Sequence, residues 1–380
     1  MSDIPDVPRP DRARPETPSA TPVEEHRFPC PTCGSDMRYA PGTATLHCPQ
    51  CGHDAPIVPA PRSAATEELD FDSARRGTVP EAHAEVTRVT PCPSCGAQVD
   101  FPAGEHAARC PYCDTAVVAD TGLSRHIKPR GVLPFAIDEG AARQAMRDWL
   151  GSLWFAPNGL RDYARKGRQL NGLYVPFWTF DAQTRSAYTG ERGDDYYVTR
   201  TITRDGKRQT VQERRTRWRN VRGRVQRFFD DVLILATPSL PKAHTDALAP
   251  WDLSELAAYR PEYLAGFMAE SYRIELEEGF AEARAVMDRT IAQDVRRDIG
   301  GDHQRIASVQ TQVSDVTFKH VLLPVWTAAY RYKGRSFQFV VNARTGKVQG
   351  ERPYSKWKIA LAVIAALIVA GIAALVYGQT

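Results

Sequence analysis

Cys30-Pro31-Thr32-Cys33-Gly34 and Cys48-Pro49-Gln50-Cys51-Gly52, with fourteen residues between Cys33 and Cys48, decide the reading of this chain. Sixty-two positions later the pattern returns as Cys92-Pro93-Ser94-Cys95-Gly96, fourteen residues, and Cys110-Pro111-Tyr112-Cys113. The match continues between the cysteines: Pro29 with Pro91, Gly34 with Gly96, Tyr39 with Phe101, Gly42 with Gly104, Pro49 with Pro111. One module is written twice. Zinc takes four ligands in a tetrahedron, with Zn–S near roughly 2.3 Å. Two residues between paired cysteines form a tight turn that aims both sulfurs at one ion, and the following glycine permits a positive φ. The spacing therefore predicts two small β zinc ribbons, residues 28–54 and 90–118, holding two structural zinc ions. Cys30, Cys33, Cys48 and Cys51 ligate the first; Cys92, Cys95, Cys110 and Cys113 ligate the second. Four thiolates leave no open position for water, which argues against a catalytic zinc. His47 and His53 flank ligands in the first ribbon, but Arg109 and Thr115 stand there in the second, so both histidines read as surface residues. So small a unit has little core, and metal binding supplies most of its folding free energy.

All eight cysteines precede residue 114. That clustering suits metal ligation in a reducing compartment and excludes a secreted disulfide scaffold. The opening MSDIPDVPRPDRARP lacks the apolar core of a secretory signal, which assigns the N-terminal bulk to the cytoplasm. Residues 1–27 are Pro-rich and too polar to fold. A linker spans 55–89, and within it Glu67-Glu68-Leu69-Asp70-Phe71-Asp72 reads as solvated chain in preference to a docking motif.

Residues 130–354 read as an α+β domain. Asp138 caps a helix to about Leu153, with Ala142, Met146, Trp149, Leu150 and Leu153 at helical spacing. Strands are expected over 173–182, over much of 187–225 with a hairpin turn at Asp205-Gly206, over 232–236, and over 321–332 and 336–343, followed by a turn at Thr345-Gly346. A long amphipathic helix is expected from about Ser271 to Ile299, with Leu276, Phe280, Ala283, Met287, Ile291, Val295 and Ile299 stepping by three or four.

Ile359 to Tyr377 carries no charge, and at 1.5 Å per residue spans about 28 Å. It predicts a transmembrane helix over 357–377. Arg352, Lys356 and Lys358 before it place the chain, by the positive-inside rule, as a single-pass protein of the inner membrane with its bulk in the cytoplasm. Ala362, Ala366, Ala370 and Ala374, with Gly371 beside them, form a small-residue stripe that fits self-association or helix pairing, or simply the commonness of alanine in apolar spans. The fold class is thus multi-domain: two zinc ribbons, an α+β central domain and one C-terminal transmembrane helix.

Between Arg200 and Arg227 eleven basic residues face only Asp205 and Glu213, and the run includes Trp218. Alternation makes it a basic strand face. It fits a solvated face, anionic lipid, an acidic protein partner or nucleic acid, and the sequence leaves these open. The ribbons are themselves weakly basic, which favours protein contact over phosphate. No phosphate-binding glycine loop, His-Glu-x-x-His or Gly-x-Ser-x-Gly occurs, and His244, His303 and His320 are isolated, so the chain is expected not to be an enzyme.

The doubled CPxCG ribbons, the YVPFWTFDA and LLPVW strands and the apolar tail together resemble a bacterial membrane-anchored double zinc-ribbon family. Its members are often labelled "TFIIB-type zinc ribbon" or "primosomal protein N′, superfamily II helicase". The helicase label does not carry over, because this sequence has no nucleotide-binding loop and no ATPase lobes. The resemblance implies instead a membrane adaptor, similar to partners of SPFH and phage-shock-type membrane-stress proteins. The expectation is therefore a non-enzymatic adaptor that recruits cytoplasmic or membrane-associated proteins at the inner membrane. The alternative is a membrane-tethered nucleic-acid binder.

Overall fold

Period-two alternation runs much further along this chain than its apolar segments alone imply, and it produces three unusually long strands. The computed structural model describes residues 28–61, 64–65, 67–77, 84–92, 96–100, 107–110, 112, 115–118, 123–153, 170–204, 207–332, 335–351 and 355–377. The Pro-rich start, Cys95, Cys113, Phe101, Gly104 and the Asp205-Gly206 turn lie outside the described residues.

In chain order, the first ribbon holds β1 (Arg38–Tyr39), β2 (Thr45–His47) and β3 (Asp54–Pro56). A strap follows, with β4 (Leu69–Asp70) and α1 (Phe71–Arg75). The second ribbon region holds β5 (Ala84–Pro91), β6 (Gln98–Asp100), β7 (Ala107–Arg109), β8 (Ala116–Val118) and β9 (Leu123–Ile127). The central part begins with β10 (Gly131–Val132), α2 (Glu139–Ser152), β11 (Asn171–Arg204) and β12 (Lys207–Leu235). It continues through α3 (Lys242–Asp246), β13 (Ala257–Ala258), β14 (Met268–Ala269) and α4 (Leu276–Ile299). It closes with β15 (His303–Tyr332), β16 (Arg335–Asn342), β17 (Val348–Gly350) and α5 (Lys356–Tyr377).

β11, β12 and β15 are 34, 29 and 30 residues long and lie side by side, antiparallel, in the order β12-β11-β15 of a nine-stranded sheet. The base of this sheet is buried on both faces, from Leu173 to Ala182 in β11 and from Phe318 to Thr327 in β15. Tyr174, Leu322, Trp326 and Phe339 face the first ribbon and α2, while Val175, Phe177, Leu323 and Val340 face Cys92, Cys110 and Tyr112 of the second. The two ribbons therefore sit on opposite faces of one sheet, which is the alternation of strand side chains carried into tertiary structure.

Further out, Ala182, Thr184, Ser186 and Tyr188 point under α4, while Gln183, Arg185, Ala187 and Thr189 are exposed. α4 buries the expected stripe of Leu276, Ala283, Met287, Ile291, Val295 and Ile299, with Phe280 partly covered. A Cβ at Gly279 would lie 2.7 Å from Trp178 Cδ1, so glycine sets the close approach of helix and sheet. The helix starts five residues later than Ser271, because Arg273 and Ile274 instead donate their N–H groups to Ala236 O. α2 matches its expected bounds, and Asp138 Oδ1 accepts from Ala141 N at 2.7 Å.

Three sequence expectations are corrected. The protein is mostly one large antiparallel sheet with few helices, so the α+β description of its centre gives way. Among the described residues no helix is long and apolar enough to cross a membrane. The expected transmembrane helix, and the single-pass inner-membrane placement that rested on it, are withdrawn. The third correction concerns the strap. Leu69 and Asp70 pair with Phe318 and Thr317, and Phe71 is buried against Phe180 and Phe280, at ring distances of 6.3 and 4.5 Å. The acidic-aromatic segment is docked on its own sheet.

Candidate metal centre

The first ribbon builds its site from two like turns. Cys30 N donates to Ser35 O at 2.7 Å and Gly34 N to Cys30 O at 2.8 Å; Cys48 N donates to His53 O at 2.8 Å and Gly52 N to Cys48 O at 3.0 Å. Gly34 and Gly52 have φ of +75° and +74°, the left-handed conformation that the sequence assigned to them. β1 and β2 bring the turns together, with Arg38 opposite His47 and Tyr39 opposite Leu46.

The four sulfurs of Cys30, Cys33, Cys48 and Cys51 all lie within 4.8 Å of one another. Cys30 Sγ is 3.6 Å from Cys51 Sγ, and Cys33 Sγ is 3.5 Å from Cys48 Sγ. A tetrahedron with Zn–S of roughly 2.3 Å has edges of roughly 3.8 Å, so these separations fit one zinc ion. They are far longer than a disulfide bond of about 2.05 Å. Burial opposes ionisation of Cys30, but backbone hydrogen bonds at Thr32 and Cys33 and its cysteine neighbours outweigh it and bring the thiol down to about 6. Cys48 is lowered as well, chiefly through the backbone at Cys51. At Cys51 the backbone at His53 lowers the pKa, but burial and the other three thiols push it up to about 12. A divalent cation bound by all four relieves the mutual repulsion of thiolates brought this close. Neither histidine joins the quartet: His47 Nδ1 instead sits 2.7 Å from Asp54 Oδ1 on an exposed strand face.

In the second ribbon Cys92 and Cys110 are buried, while their expected partners Cys95 and Cys113 lie outside the described residues. The described halves repeat the first ribbon's turns. Cys92 N donates to Ala97 O, Gly96 N to Cys92 O and Cys110 N to Thr115 O, each at 2.8 Å, and Gly96 has φ of +74°.

Both ribbons are seated on the sheet in ways their size alone did not suggest. Tyr39 N donates to Ala265 O, Gly42 N to Phe135 O, and the Tyr39 ring meets Tyr263 edge-on at 5.4 Å. Tyr39, Leu46 and Ile57 are buried in the core they share with α2. In the second ribbon Gln338 Nε2 donates to Tyr112 O at 2.6 Å, and Arg273 reaches Gly96 O.

Two buried polar clusters escaped the sequence reading. Glu270, 2% exposed, accepts hydrogen bonds from the hydroxyls of Tyr112, Ser239 and Thr237, the last at 2.8 Å. Burial pushes its carboxyl up to about 7 against the pull of those hydroxyls. The second cluster joins the strap to the sheet. Lys319 Nζ lies 2.8 Å from Glu68 Oε1 and 2.9 Å from Asp231 Oδ1, and Asp181 Oδ1 accepts from Asp231 N at 2.8 Å. Asp181 is raised to about 7 by burial and by Glu68, whereas Glu68 is lowered because Lys319 and Thr317 outweigh its own burial. Only Glu68 carried a sequence signal, as part of the acidic-aromatic run. Of the isolated histidines, His320 is buried with Nδ1 2.7 Å from Ile127 O, and His303 sits 3.2 Å from Asp195.

The basic run divides between two faces. Arg214, Trp218, Arg222 and Arg224 share one face of β12, and Arg215, Arg217, Arg219 and Arg227 the other. Arg227 is committed to the fold through a two-pronged contact with Asp294 at 2.6 and 2.7 Å.

The chain is similar to the uncharacterized protein YdjG of Bacillus subtilis (strain 168), with 29% identity over 342 residues that cover 88% of this chain and 92% of that protein. No family model and no solved structure matches it.

Proposed function

We propose that this chain is a non-enzymatic zinc-ribbon adaptor that binds and scaffolds a protein partner, with one structural zinc ion in each ribbon. The observation that carries the reading is the closed Cys30/Cys33/Cys48/Cys51 quartet, whose four sulfurs fill the coordination sphere of a tetrahedral ion. A metal so enclosed has no position for water or substrate, and its role is to fix the two turns. The turn tips, Pro31 to Gly34 and Pro49 to Gly52, are exposed and carry no lysine or arginine. They offer contact surface for a protein and little for a phosphate. The repeated turn geometry at Cys92 and Cys110 supports a second ion in the other ribbon. On the strength of the family resemblance alone, the partner class is a protein of the SPFH or phage-shock type.

The exposed arginines of β12 beside Trp218 favour a second reading, a nucleic-acid-binding zinc-ribbon protein. The two separate on salt. Crosslinked recovery of one specific protein by the full-length chain, lost in Cys30→Ser/Cys33→Ser, is the adaptor outcome. Generic DNA or RNA binding that collapses between low and moderate salt is the nucleic-acid outcome, and it would overturn the adaptor.

A further inference from the structure

β15 stops pairing with β11 at Gly193 and His303, where Asp302 closes the ladder by accepting from Asp195 N at 2.7 Å. Beyond that point β11 and β12 continue as a two-stranded ribbon, from Asp194 to Arg204 and from Lys207 to Arg217. Eleven residues of strand project about 36 Å at 3.3 Å per residue. Two strands alone are marginally stable in water, and a third strand is the usual remedy. The outer edge of β12 is open to one: among the described residues only β11 pairs with it.

We propose that this edge is a strand-addition site for an extended acidic polypeptide, a surface that deepens the adaptor reading and rests on it for a protein occupant. Charge selects the occupant. Arg214, Arg222 and Arg224 stand exposed on one face of β12, and Arg215, Arg217 and Arg219 on the other. An added strand sends its side chains alternately to both faces and meets both sets, with opposite charges in cross-strand positions. A nucleic acid strand lies along one face and meets half of them. A second copy of β12 would set arginine against arginine, so the charge that bars self-pairing also selects an acidic partner.

The test uses the full-length chain and a labelled fourteen-residue peptide of repeating Glu-Glu-Thr-Thr, read by fluorescence anisotropy. Binding is expected to weaken at least tenfold in Arg222→Glu/Arg224→Glu and likewise in Arg215→Glu/Arg217→Glu. N-methylation along one edge of the peptide leaves binding intact, because only one edge pairs; methylation along both edges abolishes it. No binding, or binding indifferent to methylation of both edges, overturns the proposal. So does a twenty-nucleotide single strand that displaces the peptide and depends on Arg222 and Arg224 alone. A wild-type dimer that the charge reversals convert to monomer gives the edge to a second copy and also overturns it. Zinc content, unchanged in every variant, keeps failure of this surface distinct from failure of the ribbons.

Discussion

Glu270→Gln replaces a buried carboxyl by an amide of nearly the same shape that does not titrate. In the wild type the folded carboxyl is held at about 7 against a reference value of 4.5, because burial opposes its ionisation more strongly than the hydroxyls of Ser239, Tyr112 and Thr237 and the charge of Arg273 favour it. The folded state therefore keeps a proton that the unfolded state has released, and between pH 4.5 and 7 stability falls as pH rises. The contribution is complete below about 4.5 and gone above about 7. At 1.36 kcal/mol per pH unit, the shift corresponds to about 3 kcal/mol across that window. Urea unfolding of both proteins at half-unit intervals from pH 5 to 8 measures it. The wild type should lose roughly 2–3 kcal/mol more than Glu270→Gln as pH rises, and the curves should run parallel above pH 8. Asp181, also raised to about 7, drifts with the same sign in both proteins and cancels in the difference. Parallel curves throughout would show that Glu270 ionises normally and would refute the assignment of a buried, hydroxyl-lined site.

Further expectations follow from the core and the ribbons. Ile291→Ala, on the buried face of α4 at 1% exposure, should destabilise by about 2–5 kcal/mol in the same unfolding assay. Phe71→Ala should open the strap: cleavage by a protease of broad specificity between Glu67 and Gly77 should become fast while the unfolding midpoint of the sheet moves little, since the strap detaches before the sheet does. Cys30→Ser/Cys48→Ser should lower bound zinc by one ion per chain, by atomic absorption, with the second ribbon's ion retained.

What the sequence disclosed and withheld divides along chemical lines. The ribbon turns were legible because Cys-x-x-Cys-Gly states both the ligand and the backbone conformation locally, and Gly34 and Gly52 adopt the φ their position demands. The Asp138 cap and the α4 stripe were legible for the same reason. The length of β15 was not: His303 to Asp315 is polar on alternate and adjacent positions, and it is a strand because β11 pairs with it from more than a hundred residues away. The strap was misread because its affinity resides in Lys319, Phe180 and Phe280, which are remote in sequence. Glu270 gave no signal, since its partners Tyr112, Thr237 and Ser239 come from separate segments. The tail was read from its own apolar run and flanking charges, and among the described residues no helix is long and apolar enough to cross a membrane.

Zinc K-edge X-ray absorption on the full-length chain tests the central claim, a closed and non-catalytic metal centre, most directly. The account predicts four sulfur neighbours at about 2.3 Å and no lighter scatterer in the first shell. An oxygen or nitrogen neighbour at about 2.0–2.1 Å, with the sulfur count correspondingly reduced, would mean an open coordination position and would contradict it.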